Sequence, residues 1–376
     1  MVKICLCAIF RNESKNVYRC LDGAKKIIDC VSICDTGSTD NTVELIKKWG
    51  KENNIPTKVH YKEFKNFGHN RTMSVVLAKR SFKDIDYFLL VDADMVLVVE
   101  NGWDDIKHTL NEGSYLLKQK TYYMEYWNTR LIRADLIWRC VGVTHEYWDC
   151  TSDNVKGIKI HELWIDDKED GGCKDDKFER DKRLLEEGLI NEKDESLRGR
   201  YMFYLAQTYK SLEEYNNSIE MYKRRIEHGG WNEELFYSQF QIAECYKKLK
   251  DYEKAVGEYL LAWNIRPQRS EPLSKIAELY RKNEQYFLSY TFAKIGINIP
   301  YPENDTLFID HNAYLYSFHH EISICSYYIA QKSSTEEAKN ILLLEGKRAC
   351  EYLLSLNEKL PDHLIELAKS NIKFYQ

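Results

Sequence analysis

Two aspartates one residue apart close an apolar run, Phe88-Leu89-Leu90-Val91-Asp92-Ala93-Asp94. Side chains alternate along a strand, so positions 92 and 94 share one face of a strand end. Paired carboxylates there attract a hard divalent cation, Mn²⁺ or Mg²⁺, which binds oxygen ligands and keeps positions open for substrate phosphates. Taken alone, such a pair is more often a solvated strand end than a metal site, so its neighbours decide its meaning. A second cluster, Asp35-Thr36-Gly37-Ser38-Thr39-Asp40-Asn41-Thr42, follows the apolar run Val31–Cys34. Asp35 at a strand end suits a hydrogen bond to a nucleoside. Gly37 permits a tight turn, and Thr39 or Asp40 can cap a following helix.

These residues need a scaffold that brings strand ends together. Val2–Phe10, Val31–Cys34, Lys58–Tyr61 and Tyr87–Val91 read as strands, and Asn16–Lys26, Thr42–Asn53 and Arg71–Lys79 as helices. Strand and helix alternating at this spacing predict a Rossmann-like α/β domain with a mostly parallel sheet covered on both faces. Ligands of such sheets sit beyond the carboxyl ends of the strands, where both clusters lie.

From about Arg198 the period changes to that of helices. Leu205-Ala206-x-x-Tyr209, Ile242-Ala243-x-x-Tyr246 and Ile276-Ala277-x-x-Tyr280 repeat at offsets of 37 and 34 residues. Tyr215, Tyr252 and Tyr286 fall nine residues after each alanine, and Ser218, Ala255 and Ser289 twelve after. Such offsets resemble tetratricopeptide repeats, in which alanine lets paired helices approach and tyrosine fills the gap to the next pair. Residues 311–376 read as further helices, a degenerate repeat with a capping helix. The expected domains are 1–165, α/β; 166–197, a charged linker or flap with a connecting helix; and 198–376, helical repeats.

Composition excludes several classes. The 54 basic and 59 acidic side chains leave a charge of -5, unlike the basic footprint of a nucleic-acid binder. The 11 cysteines are odd in number and scattered without a CxxC pair, which reads as reduced thiols of a cytoplasmic protein. No stretch approaches the roughly 20 apolar residues of a membrane span, and Ile4–Phe10 is too short for a secretory segment.

Arg11-Asn12-Glu13 after the first strand, the Asp35–Thr42 cluster and Val91-Asp92-Ala93-Asp94, in that order, resemble a family 2 glycosyltransferase of the GT-A fold over roughly residues 1–165. With its repeat tail the chain is similar to family members that include bacterial peptide S-glycosyltransferases. The resemblance implies that Asp35 contacts the base of a donor nucleotide and that Phe10, Arg11 and Glu13 line its pocket. It implies that Asp92 and Ala93 lie against the ribose, with Asp92 beside the metal and Asp94 ligating Mn²⁺ or Mg²⁺ on the diphosphate. In Phe67-Gly68-His69-Asn70-Arg71, Arg71 and Asn70 are expected to close on the donor. His161 is expected to return to the metal.

An inverting transfer needs a base for the acceptor proton. Family members carry an acidic residue in the region of Trp138–Glu146, and Glu146 is the expected base, with Asp135 and Asp149 in reserve. The Glu-Asp pair of many relatives is replaced by His145-Glu146. Trp138 and Trp148 could stack on a sugar or belong to the core. Lys177, Arg180 and Asp181 could clamp a phosphate or acceptor, or simply belong to a charged helix.

The expected reaction is thus inverting transfer of a hexose from a UDP-sugar to a protein, peptide or glycan acceptor. The repeats could deliver that acceptor or form a homodimer. Two other readings exist: a tetratricopeptide scaffold with a degenerate nucleotide-binding domain, and a nucleotidyltransferase. The intact motifs oppose the first. Against the second, Phe10-Arg11-Asn12-Glu13-Ser14 lacks the glycines of a nucleotidyltransferase loop.

Overall fold

The computed structural model of the chain describes residues 2–122, 124–152, 155–171 and 176–375. The chain forms two compact units, Met1–Asn191 and Glu192–Gln376.

The first unit is built on an eight-stranded sheet. Its first four strands are β1 (Ile4–Phe10), β2 (Cys30–Asp35), β3 (Thr57–Tyr61) and β4 (Tyr87–Leu90). They lie in the order β3-β2-β1-β4 and pair in parallel. The crossovers are α1 (Val17–Ala24), α2 (Thr42–Glu52) and α3 (Phe67–Ser81), as the alternation of apolar runs and helical stretches predicts. Strand β1 shows why both faces are covered. Its even positions Ile4, Leu6 and Ala8 enter the core formed with Leu21 of α1 and Trp49 of α2. Its odd positions Cys5 and Cys7 face Val75 and Ala78 of α3. A strand buried on both sides reads as a continuous apolar run.

The sheet continues through β5 (Met95–Val99), β6 (Ser114–Lys120), β7 (Glu125–Arg133) and β10 (Gly157–Asp167), in the order β4-β7-β6-β10-β5. Here antiparallel pairs enter, at β4–β7, β6–β7 and β5–β10. The short helix α4 (Trp103–Lys107) follows β5. A two-stranded sheet of β8 (Trp138–Val141) and β9 (Tyr147–Cys150) packs against α3. Trp138 is buried there and donates through Nε1 to the Arg133 carbonyl. Trp148 is partly buried against the same core. Both tryptophans are core residues, the alternative the sequence left open. The unit ends with α5 (Lys177–Asn191), so the helix expected in a connecting segment belongs to the first unit. Of the charged stretch before it, Gly172 lies outside the described residues.

The second unit is all helical. Three hairpins, α6 (Glu195–Ser211) with α7 (Tyr215–His228), α8 (Asn232–Lys248) with α9 (Tyr252–Ile265) and α10 (Glu271–Lys282) with α11 (Tyr286–Gly296), follow the sequence repeat. Ala206, Ala243 and Ala277 are fully buried, as are Ser218, Ala255 and Ser289 at the facing positions. Ser218 Oγ, in the first turn of the next helix, donates to the Ala206 carbonyl at 2.8 Å. The repeat tyrosines 215, 252 and 286 each open the second helix of a hairpin. Glu213, Lys250 and Glu284 take positive φ at the three turns, so the repeat extends to backbone conformation. Three further helices, α12 (Phe318–Ala330), α13 (Glu336–Ser355) and α14 (Asp362–Asn371), complete the unit. No helix among the described residues is long and apolar enough to cross a membrane.

Candidate active site

The carboxyl ends of β1, β2 and β4 meet at one place because the three strands are parallel neighbours. The loop after β2 is fixed by its own side chains. Asp35 is buried and accepts through Oδ1 from the backbone N–H groups of Gly37 (3.2 Å) and Ser38 (3.1 Å). Gly37 has φ +107° with open space around it, so backbone conformation is what calls for glycine there. Asp40 accepts from Thr42 N at 3.0 Å at the start of α2. Asn12 and Glu13, after β1, are tied to the same loop: Ser38 Oγ accepts from Asn12 N, and Thr42 Oγ1 from Glu13 N. The two loops form one rigid rim.

Above that rim lies a cavity of about 290 Å³. Phe10, Arg11, Glu13 and Thr36 form one wall, and Asp92, Ala93 and Asp94 the floor at the end of β4. Phe64, Phe67 and Arg71 come from the start of α3 and the loop before it, and Gly171, Lys177 and Arg180 from the C-terminal part of the unit. Phe67 carries two guanidinium groups over its ring, Arg180 at 5.0 Å and Arg71 at 6.0 Å. Asp35 does not line the cavity, although its neighbours Thr36 and Phe10 do. Its Oδ2 is buried without a hydrogen-bond partner among the described residues, so this oxygen can accept from a ligand donor.

The two aspartates of the opening motif have different surroundings. Asp92 meets Arg71 Nη1 at 2.5 Å and Arg130 Nη1 at 3.7 Å. Burial pushes its carboxyl up, but Arg71 and Arg130 outweigh burial and hold it below the usual carboxylate range. Asp94 Oδ2 accepts from Gly171 N at 3.1 Å. Arg71 in turn reaches Glu146, Nε to Oε1 at 2.6 Å. Burial works against the Arg71 charge, and the two carboxylates overcome it and keep the guanidinium protonated. Asp92, Arg71 and Glu146 therefore form one partly buried charge group.

The start of α3 has to sit close to residues 140–146 for this to happen. Phe67 N and Gly68 N donate to the carbonyls of Val143 and Gly142. A Cβ on Gly68 would stand 2.2 Å from the Gly142 oxygen and 2.8 Å from the Cys140 oxygen, both backbone. Gly68→Ala is expected to cost about 1–3 kcal/mol despite its better helix propensity. Thermal unfolding of the variant checks this; an unchanged midpoint would mean that α3 shifts freely.

Several expected site residues fall elsewhere. Asn70 is fully buried, and its amide holds the loop before α3, accepting from Lys65 N and donating to the Glu63 carbonyl. Asn70 does not line the cavity. His161 lies exposed on β10 with its ring edge-on to Trp127 at 5.1 Å. The partner of Met95 on β10 is Asp167. Asp167, not His161, thus stands beside the start of β5, and His161 does not line the cavity that holds Asp94. Asp135 is exposed and paired with Arg133, and Asp149 is paired with Arg139. Asp181 is buried and accepts weakly from Thr144 Oγ1 at 3.5 Å; burial raises its carboxyl despite Arg180 and Lys177. Arg130 and Phe64 went unnoticed in the sequence. The signal for Arg130 was a lone arginine opening the apolar end of a strand, Arg130-Leu131-Ile132.

Residues 5–101 match the family described as glycosyl transferase family 2. The N-terminal unit carries a family 2 glycosyl transferase domain. A TPR repeat-containing protein of Synechococcus elongatus is 27% identical over 166 residues, covering 43% of this chain and 38% of that protein. The chain thus spans well under half the length of the curated relative it matches. Among solved structures, Staphylococcus aureus TarS 1–349 is similar at 14% identity and TM-score 0.39, over 71% of this chain and 93% of that one. The same protein in complex with UDP gives TM-score 0.35 at 14% identity and the same coverage. A TPR repeats protein from Bacteroides fragilis gives 0.30 at 9% identity, over 52% of this chain and 89% of its own.

Proposed function

We propose that the chain is a glycosyltransferase that moves a hexose from a UDP-sugar, with inversion, to a protein, peptide or glycan acceptor. One observation carries the reading: in the unit that holds the glycosyl transferase family 2 match, a single cavity gathers Asp92 and Asp94 with Arg11, Lys177, Arg180 and three phenylalanines. Aromatic walls suit a base and a sugar face, and the cations suit a diphosphate. Asp35 Oδ2 is the acceptor offered to a donor group on the nucleobase.

Among the described residues, no three or more His, Cys, Asp and Glu side chains are grouped to hold a metal. Hard cations at phosphate sites are commonly held by one or two carboxylates plus substrate oxygens and water. Asp94 fits that pattern, with the cation completed by the donor diphosphate; Asp92, taken up by Arg71 and Arg130, and His161 do not. When bound, Mn²⁺ or Mg²⁺ would neutralise charge gathering on the leaving diphosphate. Lys177 and Arg180 act on the same charge, and Glu146 takes the acceptor proton.

The test is a screen of nucleotide sugars, read as nucleotide released, with Mn²⁺ and with a chelator. Release from a UDP-sugar with Mn²⁺, abolished by chelation, is the expected result. A chain that neither turns over any nucleotide sugar nor binds UDP with Mn²⁺ by calorimetry would instead be a scaffold.

A further inference from the structure

The ladder between β6 and β7 is broken at one point. Tyr115 pairs with Leu131 and Leu116 with Thr129, so Arg130 is the extra residue of a β-bulge. A bulge re-aims the side chain it carries. Arg130 is 7% exposed and faces Asp92 Oδ2 at 3.7 Å and the Leu90 carbonyl at 3.5 Å. Its Nη2 donates to Gln119 Oε1 at 2.7 Å, and Gln119 Nε2 donates to Asp167 Oδ2 at 2.7 Å. Gln119 is 2% exposed. Arg130 does not line the cavity, yet it stands behind the aspartate that anchors Arg71, and Arg71 holds Glu146. A polar chain therefore runs Asp167–Gln119–Arg130–Asp92–Arg71–Glu146.

Burying a guanidinium in a sheet is costly unless its partners require it. We propose that Arg130 is a positioning residue: the bulge delivers it to Asp92, it fixes the Asp92–Arg71 pair, and through that pair it sets where Glu146 points. Gln119 orients the guanidinium. The proposal rests on Glu146 being the base.

The experiment is a mutant cycle between Arg130→Met and Glu146→Gln, with Arg130→Lys as the conservative variant. Transfer kcat, donor KM and the calorimetric affinity for UDP with Mn²⁺ are measured for each. Arg130→Met is expected to lower kcat about 10- to 100-fold, the order that a displacement of about 1 Å at a reacting group produces. Affinity for UDP should stay within about twofold, and Arg130→Lys should recover part of the loss. On the Glu146→Gln background, Arg130→Met should cost less than about threefold more, because residues acting as a unit are not additive. A kcat within twofold of wild type overturns the proposal, as does a loss that multiplies fully onto that of Glu146→Gln. Should Arg130→Met fail to fold, Gln119→Met takes its place under the same non-additivity criterion. A Glu146→Gln enzyme with full turnover removes the base itself, a failure visible without any Arg130 variant.

Discussion

Asp94→Asn is expected to lower turnover of the nucleotide sugar at saturating Mn²⁺ by about 10²- to 10³-fold, corresponding to loss of the several kcal/mol a cation supplies at a developing phosphate charge. The amide is the informative replacement. Its oxygen can still accept from Gly171 N, as Asp94 Oδ2 does at 3.1 Å, so the fold around position 94 is kept while the charge is removed. Asp92→Asn makes the contrast. Asp92 holds Arg71 and Arg130, both largely buried, and breaking a buried pair by removing one partner costs about 3–5 kcal/mol. Asp92→Asn should therefore lower the unfolding midpoint of the N-terminal unit, whereas Asp94→Asn should barely move it. Activity titrated with Mn²⁺ separates the two further. Full activity of Asp94→Asn would remove the cation from the proposal.

What the sequence made legible here was decided by the distance between cause and effect along the chain. Strands β1, β2 and β4 were readable because each is an apolar run bounded by local turn chemistry, and β3 because it falls between two helices of ordinary length. The repeats were readable because the same small residues recur where helices touch. Asp92, Asp94, Arg11 and Glu13 were readable as strand-end residues, since strand order alone brings such ends together. Strands β5 and β10 were harder: they pair antiparallel across a long stretch of sequence, as with Val96 and Asp166. His161 was assigned from its place at the end of an apolar run. The run did not end there, however, and β10 continues to Asp167. Asn70 was grouped with its neighbour Arg71, which lines the cavity, but successive helix residues point about 100° apart, and Asn70 faces the loop. Arg130 shows in the sequence only as a lone arginine before Leu131-Ile132, because the bulge that turns it toward Asp92 is set by pairing with β6. The pairing of Arg71 with both Asp92 and Glu146 joins segments 75 residues apart at its widest, and no local pattern encodes it.

Glu146→Gln is expected to reduce transfer kcat by about 10²- to 10⁴-fold, the usual contribution of a positioned general base, while affinity for UDP with Mn²⁺ changes little. The geometry makes the separation possible. Glu146 does not line the cavity wall around the aspartates; it stands on the far side of Arg71, which accounts for its contact with the site. A glutamine keeps an oxygen at the place where Arg71 Nε donates, so Arg71 can stay on Asp92 and the donor pocket keeps its shape. Alanine would leave the buried guanidinium with one partner fewer and would confound loss of the base with loss of structure. The pairing with Arg71 does not disqualify Glu146, because hydrogen bonds at a reacting group commonly rearrange when substrates arrive. It does set a requirement: an acceptor hydroxyl or thiol has to approach the Glu146 oxygen not committed to Arg71. Slow hydrolysis of the donor by water uses a smaller nucleophile that needs less positioning, so Glu146→Gln should depress transfer more than hydrolysis. Equal loss of both, or an unchanged transfer rate with donor affinity intact, would place the base elsewhere.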